Sequence, residues 1–141
     1  LLVILVGAQL DNVIGGGWLY HDLQYRYVVD SRYNTIFDKV YSVYLINKGI
    51  SMDIINDKIY AMNDDVYVII NQESNTIIVY YLNLEDVETI NNFTRLQQQY
   101  YGDKMILQPI ESLGSSETLD MYKKLLEAPG RFKSQGSRIS F

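Results

Sequence analysis

The sequence predicts an α+β fold, an antiparallel β-meander of about six to seven strands packed with two C-terminal helices. From Val40 to Leu82, runs rich in Val, Ile and Tyr (VYSVYLI, ISMDII, KIYAM, VYVII, TIIVYYL) alternate with short breaks of Asn, Asp, Gly, Lys, Ser, Gln and Glu. β-Branched and aromatic side chains fit a pleated, half-buried surface. Asn, Asp and Gly tolerate the positive φ angles of tight turns. Breaks this short are expected to join antiparallel neighbours, since a parallel crossover takes about a dozen residues or more. Beyond Leu82 the apolar spacing becomes helical.

Leu1 to Gln9 is a near-continuous apolar run, expected as a strand buried on both faces. It is shorter than the ~20 residues of a membrane span and lacks the basic start of a signal peptide, so no membrane association is expected. Asp11-Asn12 turns the chain, and Gly15-Gly16-Gly17 breaks it. From Leu23 to Val29 the residues alternate, with Leu23, Tyr25, Tyr27 and Val29 on one face and Gln24, Arg26 and Val28 on the other. Asp30 to Asn34 reads as a loop, and Ile36-Phe37 as a lead into the meander.

Within the meander, Ile50, Met52 and Ile54 oppose Ser51 and Asp53. VYVII and TIIVYYL are apolar on both faces and require cover on both sides, from the C-terminal helices or another subunit. Tyr41, Tyr44, Tyr60, Tyr67, Tyr80 and Tyr81 combine an apolar body with a polar tip, a type enriched at protein interfaces and equally at home in an ordinary sheet.

Asn83 is expected to cap a helix from Leu84 to about Tyr101, with Glu85, Asp86 and Glu88 complementing its dipole. Leu84, Val87, Ile90, Phe93, Leu96 and Tyr100 supply its apolar positions, and Gly102 ends it. Lys104 to Ile110 is extended and stops at Pro109. A second helix, Glu117 to Ala128, follows Gly114-Ser115-Ser116; Leu119, Tyr122, Leu125 and Leu126 form its apolar stripe, and Pro129-Gly130 halts it. Residues 1–128 thus read as one β-rich domain, and residues 129–141, PGRFKSQGSRISF, as a basic Gly/Ser-rich arm. Leu1 in place of an initiator Met is expected of a processed, trimmed or partial chain.

Composition removes several function classes. The 141 residues contain no cysteine, which excludes disulfides, thiolate nucleophiles and Cys-based metal sites. A single histidine, His21, excludes HExxH metalloproteases, two-histidine phosphoesterases and multi-His zinc sites. The net charge of −5 argues against nucleic-acid binding driven by counterion release. The arm, however, holds Arg131, Lys133 and Arg138 and no acid, a charge of +3 that leaves −8 on residues 1–128; any nucleic-acid contact would go through it.

Gly15, Gly16 and Gly17 offer backbone N–H groups to an anion, but neither GxxxxGK[ST] nor GxGxxG is present. His21 beside Asp22 is the one place where a general base could form at neutral pH. These five residues are the candidate ligand-binding site. The stretch ILVGAQLDNVIGGGWLYHDL, with its apolar strand, Ala, N-x-I-G, Trp and Asp-Leu, resembles the opening of dihydrofolate reductases. That resemblance implies Asp22 at the family's acidic substrate-binding position. It covers residues 4–23; the glycine-rich cofactor segments have no counterpart, and a meander departs from that family's alternating α/β chain, so no membership is assigned. Asp53, Asp57, Asp64 and Asp65 lack calcium-loop spacing, and no metal or cofactor is expected.

The arm interleaves Arg131, Lys133 and Arg138 with Phe132, Ile139 and Phe141, a pattern expected to dock on the acidic body or on a neighbouring subunit. The leading expectation is a non-catalytic structural or protein-interaction module that self-assembles. Its composition, rich in Ile, Asn, Tyr and Asp, is that expected of an AT-rich genome, as in many phages, some viruses and many bacteria; the leading expectation takes a phage or viral origin and a cytoplasmic or virion setting, with itself or a host protein as partner. One alternative is a small ligand- or nucleotide-binding domain or enzyme around Gly15–Gly17, His21 and Asp22. The other is an acidic inhibitor that covers a basic host surface through Asp64, Asp65, Glu73, Glu85, Asp86 and Glu88.

Overall fold

The structure, a computed structural model, describes residues 26–128, Gly130 and Phe132. Among them lie β1 (Tyr27–Asp30), β2 (Thr35–Asp38), β3 (Val43–Ile46), β4 (Ser51–Ile55), β5 (Lys58–Met62), β6 (Val66–Asn71), β7 (Thr76–Tyr81), α1 (Val87–Leu96), β8 (Met105–Pro109) and α2 (Ser116–Leu126). The fold is α+β with a strand meander and two helices, as the sequence predicts.

The meander runs through β4, β5, β6 and β7, each antiparallel to the next. Asparagines supply the left-handed corners, Asn56 (φ 56°) between β4 and β5 and Asn75 (φ 58°) between β6 and β7. β8 then adds to β7 in parallel, Ile77 opposite Met105 and Tyr81 opposite Pro109, with α1 as the crossover.

Two expectations are corrected. Residues 40–46 are not the first strand of this sheet: β3 pairs back with β2, and β1, β2 and β3 form a separate antiparallel sheet. The break Asn47-Lys48-Gly49 is therefore no hairpin. Gly49 N–H donates to Asn34 O (2.6 Å), which holds the chain against the β1–β2 turn as it passes between sheets. The segment around Ile36-Phe37 is itself a strand, so the described residues hold eight strands rather than six or seven.

The large sheet is the middle layer. One face, with Met52, Ile59, Val68, Ile77 and Val79, packs against Tyr27, Val29, Ile36, Leu45 and Ile46 of the small sheet and against Phe93 and Leu96 of α1. The other face, with Tyr60, Met62, Tyr67, Ile69 and Tyr80, packs against Met121 and Leu125 of α2. The apolar faces of β6 and β7 are thus both covered within one chain, each fully buried aliphatic side chain contributing roughly 1.5–3 kcal/mol. Four of the six meander tyrosines, Tyr60, Tyr67, Tyr80 and Tyr81, are buried there; Tyr44 is 51% exposed.

Polar contacts orient α2. Tyr67 Oη donates to Thr118 O (3.0 Å), Ser51 Oγ donates to Leu125 O (3.0 Å), and Lys124 Nζ pairs with Asp53 (3.1 Å). These turn Met121 inward in place of the expected Leu126, which is exposed. α1 begins three residues later than Leu84, because Asn83 Oδ1 accepts from Glu85 N and holds a separate turn. It continues as a π-turn over Gln97–Tyr101 and stops at Gly102 (φ 55°). Beyond α2, Gly130 N–H donates to Ile50 O (2.8 Å), and Phe132 is fully buried against Gly49. Among the described residues no helix is long and apolar enough to cross a membrane.

Candidate functional site

Two groups of charged side chains stand out. The first is closed. The alternation of β2 puts Asp38 on the inner face with Ile36, where its side chain is 0% exposed. Arg26 donates to both of its oxygens, Nε to Oδ1 (2.8 Å) and a terminal nitrogen to Oδ2 (3.0 Å). Val40 N–H and Tyr101 Oη also donate to it. The guanidinium lies over the Tyr41 ring at 4.8 Å, and Tyr41 stacks on Tyr100 (5.2 Å) and meets Tyr101 edge-on (5.0 Å). The π-turn places both neighbouring tyrosines against Tyr41. The hydrogen bonds that Arg26 donates to Asp38 raise the Arg26 pKa further, while burial raises that of Tyr101. With the Asp38 carboxylate and the Arg26 cation matched to each other, this cluster joins the small sheet to the end of α1.

The second group is open. A cleft of about 690 Å³ lies between the β3–β4 connection, the β5–β6 turn and the start of α1. The turn is built by Asn63, whose Oδ1 accepts from Asp65 N (2.8 Å) and Val66 N (2.9 Å) and whose Nδ2 donates to Asn47 O (3.0 Å). This Asx geometry projects Asp64 and Asp65 into the cleft wall. The opposite wall is the start of α1, with Glu88 and Thr89 lining the cleft; Asp86 caps this helix, accepting from Thr89 N (3.2 Å) and Thr89 Oγ1 (2.7 Å). Leu82 N–H bonds Asp65 O (3.0 Å) and brings the walls together.

The carboxylates feel one another. Partial desolvation, then the charges of Asp86, Asp64 and Glu88, push the Asp65 pKa up. The hydrogen bonds from Thr89 hold that of Asp86 down. Lys48 is the cation among the lining residues. The ion pairs among the described residues are Arg26–Asp38, Arg32–Asp30 and Lys124–Asp53, and none involves a cleft acid. Leu45, Val66 and Phe93 form an apolar floor and Tyr44 an exposed rim. Among the described residues no three His, Cys, Asp or Glu side chains are grouped to hold a metal ion. The cleft thus combines acidic walls, one lysine and an apolar floor.

Of the residues singled out in the sequence, Gly15, Gly16, Gly17, His21 and Asp22 lie outside the described residues, as do Arg131, Lys133, Arg138 and Phe141. Phe132 sits in its own chain's core. Asp64, Asp65 and Glu88 converge at the cleft, Asp86 stands beside Asp65, and Glu85 lies in the turn before α1. Glu73 does not join them: it lies in the β6–β7 turn, at the other end of β6. Arg26 and Asp38 were not singled out. A carboxylate in register with Ile36 on the inner face of an alternating strand is the signal that marks such a pair. No family model, curated protein or solved structure matches the chain.

Proposed function

We propose that this chain is a non-catalytic protein-interaction module whose acidic cleft binds a basic segment of a protein partner. The observation that carries this reading is the convergence of Asp64, Asp65 and Glu88 on one cleft, with Asp86 beside Asp65, and no ion pair from any of them to another described residue. Acidic surfaces steer association with basic partners and make it salt-dependent. The composition fits a phage or viral source and a cytoplasmic or virion setting. Fluorescence anisotropy with a labelled Lys/Arg-rich nonapeptide tests the reading. Binding should weaken as salt rises and fall several-fold in Asp65→Asn/Glu88→Gln; binding indifferent to both would overturn it.

A second reading is self-assembly by exchange of the C-terminal arm between copies. The seat of Phe132 against Gly49 favours it, because a socket that holds the arm of its own chain fits that of an identical copy equally well. Light scattering of the full chain at rising concentration checks it, with a defined oligomer expected.

A further inference from the structure

We infer that the cleft's first occupant is residues 133–141 of the same chain, which makes the basic arm an autoinhibitory ligand. This rests on the reading of the cleft as a site for basic segments. Phe132 is fully buried, its ring so close to Gly49 that a Cβ there would lie 2.6 Å from it. The backbone just before it is tied by the bond from Gly130 to Ile50. Gly49 directly follows Asn47 and Lys48, which line the cleft. The arm is therefore anchored one residue from the rim.

Length and charge then favour this occupant over a foreign one. The nine residues after Phe132 reach at most about 30 Å when extended, and they carry Lys133 and Arg138 with no acid. Across the rim stand Asp64, Asp65 and Glu88, with Asp86 beside Asp65. Ser134, Gln135, Gly136 and Ser137 separate the two cations with small or polar residues that hinder no close approach. Ile139 and Phe141 match the apolar floor and the exposed Tyr44. A segment tethered this closely acts at an effective concentration of order millimolar, so any external basic segment must displace it.

The test is zero-length carbodiimide cross-linking of the dilute full chain, prepared as an equal mixture of isotopically light and heavy protein. Amide bonds from Lys133 to Asp64, Asp65, Asp86 or Glu88, within one chain and suppressed by high salt, are the expected result. Links from Lys48 to the same acids verify the reagent. Links from Lys133 only elsewhere, or none, overturn the inference, and light–heavy links overturn its intramolecular form. A second measurement separates this failure from that of the underlying reading. The full chain carrying Lys133→Glu and Arg138→Glu should bind the Lys/Arg-rich nonapeptide about tenfold more tightly than the unaltered chain. Equal, salt-dependent binding would overturn arm occupancy alone; no binding by either would overturn both.

Discussion

Asp38 and Asp65 stand at comparable places, one ending β2 and the other just before β6, and the fold treats them in opposite ways. Asp38 is sealed from solvent and its oxygens accept from Arg26, Val40 and Tyr101. Asp65 stays exposed beside Asp86 and Glu88, with its pKa raised by partial desolvation and those like charges. A buried charge must be matched inside the molecule, since desolvating an unpaired ion costs several kcal/mol. An exposed acidic group is tolerated unmatched because water screens it, and that leaves its charge available to a partner. The first arrangement serves the fold, and the second is the one on which the proposed binding of a basic segment rests.

The largest expected effect breaks the sealed cluster. Asp38→Ala leaves Arg26 without its partner and should cost about 3–5 kcal/mol, read as a fall in the denaturant midpoint; Asp65→Ala should move it by less than about 0.5 kcal/mol. Equal effects would erase the distinction. Next in size is the anchor beside the cleft. Phe132→Ala should destabilise by about 3 kcal/mol, and Gly49→Ala should act in the same direction, because the added Cβ displaces the ring.

A smaller gain is expected at the edge of the sealed cluster. Tyr27 Oη is buried with no hydrogen-bond partner among the described residues, so Tyr27→Phe should stabilise by about 1 kcal/mol in thermal or denaturant unfolding. Burial also raises the Tyr27 pKa from its ordinary 10.0 to about 12. Between those values the unfolded chain has lost a proton that the folded chain retains. Stability therefore falls as pH rises through that window, and Tyr27→Phe should flatten the fall.

The smallest stability effect comes with the largest effect on binding. Asp65→Asn removes a like charge from beside Asp86 and should raise stability by no more than about 0.5 kcal/mol, while weakening capture of the basic nonapeptide. Titration sharpens the contrast. The raised pKa of Asp65 means the folded state takes up its proton first, so this group adds stability as pH falls. Asp86, with its pKa lowered, contributes stability above the ordinary carboxylate range that is lost as pH falls through its folded value. Peptide affinity should decline through Asp65's raised range before the fold is lost, as anisotropy and circular dichroism on one sample would show.

Much of the fold was legible residue by residue. The runs ISMDII, KIYAM, VYVII and TIIVYYL mark β4 to β7 within a residue or so, Pro109 closes β8, and Gly102 and Ser115 punctuate the helices. The pairing of β3 was not legible, because strand alternation specifies which side of a strand is wet and says nothing of its neighbour. The start of α1 was misplaced because Asn83 and Asp86 both carry a capping side chain, and the choice fell to Asp86 once Asn83 had closed its own turn. The acids of the cleft were named individually, yet Glu73 was named with them. Only the hairpin geometry separates it, by sending alternate turns of the sheet to opposite ends.

The order of strand-forming and helix-forming segments, the turn residues between them, the absence of thiol chemistry and the contrast of acidic body with basic arm were all determined by the sequence itself. These are local properties, set by backbone preference, side-chain period and composition. Tertiary structure alone decided that β3 belongs to a second sheet, that both faces of β6 and β7 are covered within one chain, that Asp38 receives Arg26 and Tyr101, and that Asp65 meets Asp86. Each of these joins residues remote in sequence, and their meeting follows from how the layers bury apolar area together.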